Sequence, residues 1–302
     1  MKSRMSLLLL LLIQLDLMFQ TSADTTDAYA TDINACLFSA WPSGANTAVL
    51  TGTVSCTGAK QSPLCYAVSG ANPAQFVSCY NTQTLTPDFT AHVLGKITGS
   101  GRDNTWHDDV GSNGGRFPNY STGNSSYCSR GHYVPNGDFD TQPERNLTFI
   151  STNIAPQWQL FNGGNWANVE AAVRAYTARV DHDIYVFTGT GGQATNPTGT
   201  VIKLNTKVIA PEYYWKAICD PGVGSIVFVA ENNIGDISTT KTAGCNTLSQ
   251  TESMGIINCY SLTAAGTNSD FSTFKLPSFH VANCKPGTLG TFMNAELTSN
   301  LK

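Results

Sequence analysis

Nine cysteines, all lying beyond an apolar N-terminal run, constrain this chain more than any other feature. They are Cys36, Cys56, Cys65, Cys79, Cys128, Cys219, Cys245, Cys259 and Cys284. Ahead of them Lys2 and Arg4 precede the apolar stretch Leu7 to Leu12, and Thr21-Ser22-Ala23 offers small residues for cleavage before Asp24. That order is the pattern of a secretory signal peptide, too short for a comfortable membrane span. An exported chain meets oxidising conditions, in which cysteines pair. No Cys-x-x-Cys occurs, which argues against a zinc site. The odd count leaves one thiol unpaired within the chain. Sequons at Asn119, Asn124 and Asn146 agree with export. No later stretch approaches ~18 uninterrupted apolar residues, so no membrane segment is expected after cleavage.

The remaining composition narrows the class. At 302 residues and 41% hydrophobic the chain can bury a sizeable core. Only 13% of residues are charged, roughly half the usual ~25%. The formal net charge is -4, and loss of Lys2, Arg4 and Asp16 with the leader makes it slightly more acidic. A polybasic nucleic-acid tail and a charged coiled coil are both excluded. Any phosphate-binding groove must therefore be local. Its candidates are Arg102, Arg116, Arg130, Arg145, Arg174, Arg179 and Lys216.

The chain divides into a signal peptide over 1–23, a cysteine-rich N-terminal extension over 24–85, and a main domain over 86–302. Strands are expected at 90–97, 147–150, 184–188, 213–218 and 225–230, where β-branched and aromatic residues cluster. Residues 119–136 are polar and irregular. The stretch 163–180 has helical periodicity: Trp166, Val169, Val173, Tyr176 and Val180 fall within an arc of roughly 80°, a core-facing stripe. Glu170 and Arg174 sit just off one edge, and Asn162 would fall on the same side. Taken alone, Glu170 and Arg174 are an ordinary i,i+4 pair.

A second polar segment is Ser129-Arg130-Gly131-His132. A histidine titrating near neutrality can take a proton from water. An arginine two residues away can grip phosphate with its planar fork. Asn153 follows His132 by 21 residues, Asn162 by 9 more, Glu170 by 8 more and Arg174 by 4 more. In that order and spacing, SRGH, LTFISTNIAPQ, FNGGNWANVEAAVR, IYVFTG and PEYYWK resemble the DNA/RNA non-specific endonuclease family, the ββα-metal nucleases, over about residues 88–285. The phrase CYNTQTLTPDFTAHV is similar to the animal secreted, endonuclease-domain-containing branch. Ser129 departs from the bacterial-type motif, which has Asp there.

The resemblance implies an α+β fold, a central antiparallel sheet flanked by helices, and a secreted enzyme hydrolysing phosphodiester bonds of DNA and RNA with little sequence preference. It implies Mg²⁺, or another divalent cation such as Mn²⁺, held by Asn162. His132 would be the general base, Glu170 would hold a metal-bound water, and Arg130 and Arg174 would neutralise phosphate. Asn153 would orient the histidine loop or the metal water. Arg102 is the upstream arginine expected to contact substrate, with Arg116 its competitor. The alternative is an inactive secreted protein that binds through a nuclease-like scaffold. No obligate protein partner is evident.

The resemblance also suggests a Cys245–Cys284 disulfide. The four cysteines between 36 and 79 should pair among themselves, with three connectivities open. Cys128 would brace the catalytic loop through Cys219 or Cys259. Among the other residues, His107 with Asp108 and Asp109 reads as an exposed loop. His92 reads as a core-edge strand residue, and His182 and His280 show no partner pattern. Lys216 is either a backbone contact for substrate or a plain strand-face lysine. Trp158 and Trp166 read as core or loop anchors.

Overall fold

The computed structural model describes residues 26–29, 32–68, 73–102, 106, 128–204, 206–232, 250–267 and 276–285. Its centre is an eight-stranded sheet in the order β1-β2-β3-β4-β7-β10-β11-β12. The strands are β1 (Thr26–Tyr29), β2 (Gln61–Ala67), β3 (Phe76–Asn81), β4 (Thr86–Leu94), β7 (Ile184–Gly191), β10 (Tyr213–Asp220), β11 (Gly224–Glu231) and β12 (Ile257–Tyr260). Every pairing is antiparallel. A separate two-stranded ladder joins β5 (Cys128–His132) to β6 (Ile154–Trp158), and a small one joins β8 (Lys203–Leu204) to β9 (Val208–Ile209). Among the described residues no helix is long and apolar enough to cross a membrane.

Strand alternation sends successive side chains to opposite faces, and both faces are covered. On the back, Phe38 and Trp41 pack on Tyr185, Phe187 and Trp215. On the front, the long helix Ala167–Val180 lays Val169, Val173 and Tyr176, with Trp166 just before it, on Ile184, Val186, Tyr214, Ile218 and Phe228. The expected apolar stripe is the buried one, with Val180 only partly covered. The helix ends at Asp181, which adopts a left-handed conformation and donates its backbone N–H to Thr177. β5, β6 and this helix form a ββα unit on the front of the sheet.

Several expectations need correction. Residues 147–150 are not a strand: Gln142–Leu147 is a short helix with a capping box between Thr141 and Glu144 and a proline in its first turn. The strand expected at 90–97 runs instead over Thr86–Leu94. The segment holding SRGH is strand β5. The helix expected from 163 is regular only from Ala167, because a π-turn spans Asn162–Trp166 and Gly164 is non-helical. A side chain on Gly164 would run into the Met254 backbone. His92 lies deep in the core, not at its edge.

The disulfides also differ in part. Cys36–Cys65 and Cys56–Cys79 join the N-terminal four among themselves, as expected. Cys284, however, bonds Cys219, not Cys245, which lies outside the described residues. The cause is local. Ser225 and Gly222, in the β10–β11 hairpin, donate to the Lys285 and Asn283 carbonyls and lay the C-terminal segment beside the end of β10. Cys128 braces nothing: it is buried and free.

Candidate active site

The sequence brings Arg102, Arg130, His132, Asn162 and Glu170 to one cavity of about 500 Å³ at the end of the β5–β6 ladder. Arg116 and His107 lie outside the described residues. Each side chain has an identifiable support. His132 is the last residue of β5, paired with Ile154 on β6. Its ring lies 5.1 Å from Trp106 and 5.2 Å from Phe149, centroid to centroid. The Arg130 guanidinium sits over the Trp106 ring at 4.6 Å, a cation–π contact that fixes it without consuming a carboxylate. Arg102 follows a backbone held by Arg145, which is buried and donates to the Gly101 carbonyl at 3.2 Å and the Phe139 carbonyl at 2.8 Å.

Asn162 is delivered by the π-turn, a device that often re-aims a functional side chain. Its Nδ2 donates to Ser129 Oγ at 2.8 Å, leaving the amide oxygen as its acceptor end. Ser129 donates in turn to the Gln157 carbonyl at 3.1 Å. The serine that departs from the bacterial-type motif therefore positions Asn162.

Two expected site residues stand behind the cavity. Asn153 is fully buried and clamps the chain after His132. It donates to the carbonyls of Val134 (2.9 Å) and Thr148 (3.0 Å) and accepts from Val134 N–H (3.0 Å). Those bonds tie the segment after His132 to the turn before Asn153. Arg174 donates to Asp138 Oδ1 at 2.8 Å and packs its guanidinium against Gly137. Asp138 also pairs through Oδ2 with His92 Nε2 at 3.0 Å.

Burial and these charges set the ionisation. Burial, helped by Arg102 and Arg130, pushes His132 down to about 3, so its ring is neutral at physiological pH. Burial raises Glu170 to about 7 against the pull of Lys216 and Arg174. Burial also opposes ionisation of Asp138, but the His92 hydrogen bond and the Arg174 charge outweigh it and hold the carboxyl at about 2. Cys128 lines the same cavity, where burial pushes its thiol up to about 12 and quenches its reactivity.

Asp138, His92 and Trp106 were not singled out by sequence as parts of this site. Lys216 does not face substrate: it is buried, 1% exposed. Among the described residues no group of three or more His, Cys, Asp or Glu could hold a metal. Oxygen donors lining the cavity include the Asn162 amide and the Glu170 carboxylate, with the Asn136 and Gln159 amides beside them. Such oxygens suit a hard, partly hydrated cation like Mg²⁺ or Mn²⁺ and give a soft metal no purchase.

The chain is similar to several known proteins. The pattern of the DNA/RNA non-specific endonuclease family matches residues 60–265. A salivary endonuclease of Lutzomyia longipalpis is 40% identical over 113 residues, 36% of this chain and 28% of its own length. A nuclease of Nostoc sp. is 31% identical over 99 residues, 32% of this chain and 34% of its own. The chain thus spans about a third or less of these relatives. A crystal structure of an EndoG/EndoGI complex overlaps 55% of this chain and 74% of the matched chain, at 23% identity and a TM-score of 0.40.

Proposed function

Because the chain belongs to the DNA/RNA non-specific endonuclease family, we propose that it is a secreted, divalent-cation-dependent endonuclease that hydrolyses phosphodiester bonds of DNA and RNA with little sequence preference. The observation that carries this reading is the meeting of Arg102, Arg130, His132, Asn162 and Glu170 in one cavity. Secretion is supported by the charged and apolar leader together with the three disulfides among the described residues.

His132, neutral and walled by Trp106 and Phe149, accepts the proton of the attacking water. Arg130 and Arg102 bind the phosphate and offset the charge that grows on it. Arg174, held by Asp138, adds positive potential from behind. Asn162 would hold Mg²⁺ or Mn²⁺ directly and Glu170 through water, and the bound ion would supply Lewis acidity to the phosphate and leaving oxygens. All of these contacts address phosphate and water, and none reads a base edge, which accounts for weak sequence preference.

Plasmid nicking by the purified protein tests the reading. Cleavage should require Mg²⁺ or Mn²⁺, stop with EDTA, and fall by ~10²–10⁴-fold in His132→Ala with the fold intact. Cleavage that survives EDTA would refute the metal role, and a His132→Ala variant within threefold of wild type would refute the base. A protein inactive with every divalent cation would favour the binding-scaffold alternative.

A further inference from the structure

One buried polar row runs across four strands on the front of the sheet. Ser78 on β3, Thr90 on β4, Thr188 on β7 and Lys216 on β10 are successive cross-strand partners. All four are buried. The row meets the two chain segments that flank the β5–β6 ladder. Ser78 Oγ donates to the Thr152 carbonyl at 2.8 Å, immediately before Asn153. Lys216 Nζ donates to Thr188 Oγ1 at 2.6 Å and, at 3.4 Å, to the carbonyl of Tyr133, immediately after His132. The two segments are joined by a bond from Tyr133 N–H to the Asn153 carbonyl at 3.0 Å.

Lys216 is costly where it stands. A buried ammonium whose hydrogen bonds go to neutral groups is poorly compensated by those bonds alone. Its ammonium lies 5.9 Å from the Trp166 ring centroid. Asp138 and Glu170 attract its charge, while Arg174 on the long helix and His92 on β4 share the same surroundings. With His92 neutral and Glu170 ionised above about pH 7, Lys216 and Arg174 share these surroundings with two carboxylates.

We propose that Lys216 is a positioning residue of the active site, fixing the end of the His132 strand through the Tyr133 carbonyl and serving as buried counter-charge to Asp138 and Glu170. The catalytic half of this assignment rests on the nuclease reading above; the counter-charge half does not. Being buried, Lys216 touches no substrate, so its loss acts on turnover and not on nucleic-acid binding.

The test compares wild type, Lys216→Met, Glu170→Gln and the double variant at pH 8, by urea unfolding and by steady-state cleavage of duplex DNA. Lys216→Met should lower the unfolding midpoint, and adding Glu170→Gln should recover at least half of that loss. In Lys216→Met, kcat should fall at least tenfold while KM stays within twofold of wild type. If Lys216→Met alone does not fold, the double variant should still unfold near the midpoint of Glu170→Gln. A double variant no more stable than Lys216→Met, or itself unfolded, overturns the counter-charge role. A raised KM with kcat retained overturns positioning and makes Lys216 a substrate contact, and a Lys216→Met variant like wild type in both readouts overturns both. A wild type without nuclease activity refutes the nuclease reading, while the unfolding comparison still decides the counter-charge.

Discussion

Asp138 is the pivot on which the site's cations turn, and replacing it separates charge from shape. Its carboxylate accepts from Arg174 at 2.8 Å and pairs with His92 at 3.0 Å, with only 4% exposure. Asp138→Ala removes both partners' anchor. Breaking a buried pair costs about 3–5 kcal/mol, and the lower end applies because the Arg174 side chain keeps 28% of its exposure. Asp138→Asn should cost less, about 1–2 kcal/mol. Its amide oxygen can still receive Arg174, and its NH₂ can donate to His92 once that ring moves its proton to Nδ1, a buried atom with no other partner. The acid response follows with a definite sign. Asp138 titrates at about 2 when folded, below the ordinary 3.8, so its contribution is complete above pH ~4 and is lost as pH falls toward ~2. The difference corresponds to about 2 kcal/mol. Urea unfolding of wild type and both variants at pH 7, and of wild type and Asp138→Asn from pH 5 to 2, measures each quantity. Equal losses in the Asn and Ala variants, or an acid profile of Asp138→Asn that parallels wild type, would refute the account.

Three further outcomes are expected. In Gly131→Ala the new methyl would sit 2.7 Å from the Tyr214 hydroxyl and closer still to Gln157, costing about 1–3 kcal/mol of overpacking and displacing His132; a variant with wild-type melting and activity would disprove this crowding. His182 bonds the buried Asp220 carboxylate at 2.9 Å, which raises its pKa, so its contribution is present at low pH and lost as pH rises through the folded value. Being half exposed it is worth under about 1 kcal/mol, and the melting gap between wild type and His182→Ala should be wider at pH 5.5 than at 8.5; a gap indifferent to pH would count against the pairing. Non-reducing peptide mapping should find Cys219 joined to Cys284, with Cys128 alkylated only after unfolding; ready alkylation of native Cys128 at pH 8 contradicts its burial.

The residues that carry their meaning locally were legible in sequence. The apolar stripe of the long helix, the β-rich runs of β7, β10 and β11, and the spacing from His132 through Asn162 to Glu170 all survive in the fold. What failed depended on distance or on competing local signals. Thr141-Gln142-Pro143-Glu144 announces a capped helix, but the Leu147–Ile150 run behind it reads as strand. The partner of Cys284 is fixed by the β10–β11 hairpin, which no cysteine spacing encodes. Lys216 and His92 were misplaced for one shared reason. A sheet covered on both faces loses the polar-out alternation that marks solvent, so a charged residue in such a strand looks exposed when it is not. Asp138 gives no local signal in sequence, because its two partners come from strand β4 and the long helix.

The six cysteines of the three described disulfides all point to the back of the sheet or into the layer behind it, whereas the buried charges gather at the front. One sheet thus answers to two different environments. Reductant attacks the layer formed by residues 33–56 and 276–284 and leaves the ββα unit its non-covalent supports. Acid attacks the ion pairs under the cavity and leaves the staples intact. An oxidising, near-neutral medium satisfies both faces at once, and the chain's durability is confined to the overlap of those two conditions.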